Sequence, residues 1–256
     1  MIEPPELMKK RLSYFIRAEG LDREAVRKGL DWLAQVSITR GYIAVAGLRN
    51  LDGLIGNELG KSAVRDLKSA GKTLMLGKDI YVVTKLRPLP NADNGPLIAF
   101  YPYGRFLDSL DSIRNVMALL VVPWTMQEID YWIRTWNAKE LGAKNSRTGY
   151  KLAVSEAVEE ALKDLVGRVN RSTGMENPAD RDTAAQSFVI LKEGGETYSP
   201  DEIKAWLVSK AGWRATHARE VAEVAAEVLL GKRLGSGTPA WPRDVLETWR
   251  ARSAHR

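Results

Sequence analysis

The chain has 256 residues, 45% apolar and 27% charged, proportions that support a folded core and exclude a disordered composition. It has no cysteine and only two histidines, His217 and His255, which excludes disulfides, thiolate metal sites, a cysteine nucleophile and any site built on several histidines. The formal charge of +6 is spread evenly, +2 in each of residues 1–40, 41–140 and 141–256, so no basic tail or strongly basic module points to nucleic acid.

Met1 to Lys10 carries no apolar signal core, and no apolar run approaches the roughly 20 residues of a membrane span. A soluble, cytoplasmic protein is expected, with no membrane partner. Residues 4–36 read as helical, with Asp22 as a cap and Ala25, Val26, Leu30, Leu33 and Ala34 on one face. This N-terminal segment, residues 1–40, is expected to pack on a sheet domain that spans 41–142.

Within 41–142 the pattern alternates. Tyr42–Leu48 reads as a strand, and Asn57–Ala70 as a helix that Gly71 stops. Thr73–Leu76 and Ile80–Thr84 flank Gly77-Lys78-Asp79 as a hairpin, and Arg87–Pro96 is a loop. Leu97–Tyr101 is a short apolar strand, followed by a helix over Arg105–Leu110. Val116–Val122 is an unbroken apolar run that halts at Pro123. A strand with no solvent face has no reason to alternate, so this run marks a strand buried on both sides. Thr125-Met126-Gln127-Glu128 then opens a helix with a capping-box pattern, with Met126, Ile129, Ile133 and Trp136 on one face and Trp132 beside them. Strands alternating with helices predict an α/β fold, a mainly parallel open sheet flanked by helices.

The polar stretch Ala143–Tyr150 is the expected linker. Residues 151–256 show no convincing strand and read as a separate C-terminal all-α domain. Its expected helices are Lys151–Asn170, one capped by Asp180 and ending at Gly194-Gly195, one opened by the Ser199-Pro200-Asp201-Glu202 box, Thr216–Leu230, and Pro242–Arg252.

In open α/β sheets ligands bind beyond the carboxyl ends of the strands. The strand ends here deliver Arg49, Asn50 and Asp52, then Tyr101, Tyr103 and Arg105, then Trp124 and Thr125, with Glu128 and Asp130 close behind. Aromatic faces, guanidiniums and carboxylates together suit a nucleotide, a sugar or a polar peptide. The competing reading makes Tyr101-Pro102 and Pro123-Trp124 wedges between strand and helix, and Thr125 and Glu128 mere caps.

Other motifs read as structure. Gly56 to Gly60-Lys61-Ser62 has three residues between its glycines where a phosphate loop needs four. His217 stands at a helix start with no nucleophile motif beside it. Ser199–Leu230 has a helix-turn-helix outline, but its second helix carries Glu220, Glu223 and Glu227, which repel phosphate. The polar loop Arg171–Asp182 is a secondary candidate for a contact surface. Trp241 and Trp249 read either as an exposed patch for another chain or as packing onto the helical domain itself.

The sequence therefore favours a ligand-binding or protein-interaction protein, its partner a small polar ligand or another protein. No cofactor or metal is expected. The alternatives are a carboxylate enzyme using Asp52, Glu128 or Asp130 on a nucleotide or glycosyl substrate, and a nucleic-acid-associated protein. Turnover, the ligand and the oligomeric state are not encoded in any motif.

Overall fold

The computed structural model describes residues 11–89, 95–113, 116–143, 152–232 and 239–254. Of the expected linker Ala143–Tyr150, residues 144–150 lie outside them. The chain divides into two compact units, residues 1–149 and 150–256.

The first unit is an α/β sheet. Its elements in order are β1 (Leu12–Phe15), α1 (Arg23–Val36), β2 (Arg40–Ala44), α2 (Leu54–Leu59), α3 (Lys61–Ser69), β3 (Lys72–Met75), β4 (Lys78–Val83), β5 (Pro96–Phe100), α4 (Gly104–Asp111), β6 (Ala118–Val122), α5 (Met126–Trp136) and β7 (Lys139–Glu140). The strands lie in the order β3-β4-β2-β5-β6-β1-β7. All neighbours are parallel except β3, which forms the antiparallel hairpin with β4.

The apolar run is the middle of this sheet. All five residues of β6 are buried, with β5 pairing on one side (Leu97↔Leu119, Ala99↔Val121) and β1 on the other (Tyr14↔Leu120). Ala118, Leu120 and Val122 share a cluster with Val26, Leu30 and Leu33 of α1 and with Ile43 and Phe100. Leu119 and Val121 face the other way, against Phe106 and Leu107 of α4 and Ile129 and Trp132 of α5. A two-sided core explains the lack of polar alternation. On α1 a Cβ at Gly29 would lie 2.4 Å from Ile98 Cδ1, so glycine lets the helix sit close on the strand.

Three expectations about this unit need correction. The N-terminal segment is not wholly helical: Leu12–Phe15 is a sheet strand. Its helical appearance reflects a four-residue strand whose stability comes from partners about a hundred residues away, a signal that local pattern cannot carry. The helix expected over Asn57–Ala70 is two, α2 and α3, broken at Gly60 with φ +86°. The Thr125 box is half formed, since the Glu128 carboxylate accepts the Thr125 N–H at 3.5 Å while the Thr125 side chain makes no cap bond.

The second unit is all-α over its described residues: α6 (Glu156–Arg168), α7 (Pro178–Glu193), α8 (Pro200–Ser209), α9 (Ala215–Leu229) and α10 (Val245–Ala254). The cap of α7 is Asn177, whose side chain accepts the Ala179 N–H at 3.0 Å, and not Asp180, which accepts the Asn170 N–H at 3.1 Å. Ser199 precedes α8 as expected but makes no side-chain cap bond. Trp241 and Trp249 are buried, edge to face at 5.4 Å, so they form no exposed patch. The Trp249 indole donates to Asp164 on α6 at 3.0 Å, and the Arg168 guanidinium stacks 4.2 Å from the Trp241 ring.

Among the described residues, no helix is long and apolar enough to cross a membrane.

Candidate functional site

The sheet has a topological switch between β2 and β5. After β2 the chain turns toward the α1 face and proceeds through α2 and α3 to the β4 side. After β5 it turns to the opposite face and proceeds through α4 to β6. Two exits that diverge in this way leave a crevice at the carboxyl edge of the sheet, the recurrent ligand position of such folds.

A cleft of about 420 Å³ lies there. The turn after β2 contributes Ala46, Arg49, Asn50 and Asp52, and the start of α2 contributes Leu54 and Ile55. The turn is shaped by Asn50, whose Oδ1 accepts the Gly47 N–H at 3.0 Å and whose own N–H donates to Gly47 O at 2.9 Å. Leu51 and Ile55, both buried, pin it to the core. Asp52 pairs with Lys68 of α3 at 2.5 Å.

The β5 exit contributes Tyr101 and Tyr103. Tyr101 extends the ladder, its N–H donating to Val122 O at 2.7 Å, and then takes φ +51°, a left-handed conformation that costs a non-glycine residue about 1–2 kcal/mol. Its ring meets Trp124 edge to face at 5.6 Å. Its hydroxyl is buried with no hydrogen-bond partner among the described residues. Burial, and secondarily the Asp22 carboxylate, raise its pKa above the ordinary tyrosine value, so it stays a neutral phenol. Tyr103 is exposed, with the Lys85 ammonium 5.5 Å from its ring centre.

The β6 exit contributes Trp124 and Glu128. The Trp124 carbonyl accepts the Gly20 N–H at 2.7 Å, and Glu19 accepts the Met126 N–H at 3.3 Å. The start of α5 therefore already holds two protein carboxylates, Glu19 and Glu128, that meet its dipole.

Of the nine residues that sequence pattern nominates, seven line this one cleft: Arg49, Asn50, Asp52, Tyr101, Tyr103, Trp124 and Glu128. Arg105 and Thr125 do not. The helical turn that buries Phe106 beneath α4 carries Arg105 out to solvent, and Thr125 is spent as the residue that begins α5. Asp130 is also outside the lining and pairs with Arg134. Leu21, Ala46, Leu54 and Ile55 are additional. Leu21 follows β1, so a helical reading of residues 4–36 hides it. Leu54 and Ile55 carry no polar signal at all.

The other motifs serve packing. His217 Nδ1 lies 3.0 Å from Arg171 O, and Glu220 accepts the Met175 N–H at 2.8 Å, so the polar loop after α6 is fastened to α9. Glu227 pairs with Arg181 at 2.5 Å. The acidic face of α9 thus serves its own unit. Among the described residues, no group of three His, Asp or Glu side chains is placed to hold a metal ion.

Residues 154–250 match a family described as a domain of unknown function (DUF1889). This stretch lies in the helical unit and excludes the cleft. No curated protein and no solved structure matches the chain.

Proposed function

We propose that the α/β unit is a small-molecule receptor that holds a polar ligand in the cleft at the carboxyl ends of β2, β5 and β6. One observation carries this reading: three chain-distant exits bring polar and aromatic side chains to a single crevice at the switch point. Its volume lies within the range of small-molecule sites, roughly 300–1,000 Å³. Binding rather than turnover is favoured by how the carboxylates are used. Asp52 is paired with Lys68, and Glu128 accepts a backbone N–H, so each already has a structural task. A general acid or base must be free to exchange its proton with a substrate.

A thermal-shift screen of the full chain against nucleotides, sugars and polar peptides tests the reading. A ligand at 100 times its dissociation constant should add about 2.7 kcal/mol to the stability of the α/β unit. Trp124→Leu should remove that gain. A screen with no stabilising compound, or stabilisation indifferent to Trp124, would sink the proposal.

A further inference from the structure

The side chains that line the cleft differ in what they have left to offer. Three belong to charged residue types: Arg49, Asp52 and Glu128. Asp52 is offset by Lys68 at 2.5 Å, and Glu128 is turned to the N–H at the start of α5. Arg49 is exposed, and its guanidinium has no hydrogen-bond or ion-pair partner among the described residues. Beside it, Asn50 spends its carbonyl oxygen on Gly47 N–H, which leaves its amide NH2 to donate. One wall of the cleft therefore presents donors and an unneutralised positive charge. A guanidinium recognises carboxylate or phosphate by paired N–H bonds.

The β5 and β6 exits contribute aromatic rings to the same lining. Trp124 is 43% and Tyr103 55% exposed, high values for such large rings in a molecule that buries Trp132 and Trp249 completely. Trp124 is pre-positioned, with Tyr101 against its ring and its carbonyl held by Gly20. A flat ring on Trp124 would recover apolar area now left in water. The start of α5 is not the anion seat, because Glu19 and Glu128 occupy it.

We infer that the ligand is a flat aromatic ring joined to one anionic group, with the ring on the Trp124 side and the anion at Arg49 and Asn50. This rests on the receptor reading above and narrows it. Phosphate and carboxylate satisfy Arg49 by the same chemistry, so the test carries both.

Isothermal titration calorimetry of the full chain with four probes decides it: adenosine 5′-monophosphate, 4-hydroxybenzoate, adenosine and inorganic phosphate. At least one of the two anionic ring compounds should bind ten times or more tighter than both adenosine and phosphate, and the better of them identifies the anion. Arg49→Gln should weaken that compound about 10- to 100-fold, the worth of a charge-assisted pair, and leave adenosine unchanged. Arg49 is exposed, so the variant should keep the melting temperature of the parent. Failure of both anionic ring compounds to bind more tightly than adenosine and phosphate, or no effect of Arg49→Gln on the better of them, overturns the assignment. Trp124-dependent binding of a neutral sugar or nucleoside alone would overturn it while sparing the receptor reading. Failure of every compound in the wider screen removes both.

Discussion

Asp111 shows how much one carboxylate can carry. It is buried at the end of α4 and accepts the indole N–H of Trp132 at 3.0 Å and of Trp136 at 2.9 Å. It also pairs with Arg11, whose guanidinium sits 4.7 Å from the Trp136 ring. Asp111→Ala leaves a buried cation and two indole donors unmatched, so it should cost the α/β unit about 3–5 kcal/mol in a urea melt. The apolar stripe of α5 is evident from sequence. Nothing local to either segment shows that its two tryptophans share one acid from α4. Tyr198 is the second residue with a measurable consequence. Its hydroxyl donates to Phe188 O at 3.1 Å, and burial pushes its pKa up to about 12. The folded state therefore keeps this proton while the unfolded chain begins to lose it near pH 10. Its contribution is full below pH 10 and is lost as pH rises toward 12. Alkaline melts should show that decline in the parent and a shallower one in Tyr198→Phe.

Elements were legible in proportion to how local their causes are. β6 announces itself because burial on both faces leaves no polar position in Ala118–Val122. The hairpin of β3 and β4 is legible from Gly77 and its flanks. β1 is not, since four residues that pair with β6 and a two-residue β7 owe their state to distant partners. The break at Gly60 is also silent, because a glycine inside an amphipathic pattern reads as a weak point and not as a left-handed corner. The last helix, α10, depends on its anchor. Trp249 is fully buried and bonded to Asp164, and Arg252 pairs with the same carboxylate at 2.8 Å. Trp249→Ala should destabilise the helical unit by about 3–5 kcal/mol, read as a lower midpoint of its helical circular dichroism.

At the scale of the molecule, the cleft was readable because a general rule about strand ends selected the turns. The rule found the exits but not the helix residues Leu54 and Ile55 behind them, and it swept in Arg105 and Thr125, which share the turns and face elsewhere. The helical unit has its own core, with Phe188, Val221, Val224 and Trp249 all fully buried. A fragment of residues 150–256 should therefore fold alone, giving a cooperative helical melt; a broad, non-cooperative one would deny it independence. The sheet unit faces a different constraint as it emerges from the ribosome. Its first strand, Leu12–Phe15, must wait for Ala118–Val121 before it has a neighbour. At about 5–20 residues per second, that delay is on the order of 5–20 seconds. Throughout it the greasy side of Arg23–Val36 has no complete sheet to cover.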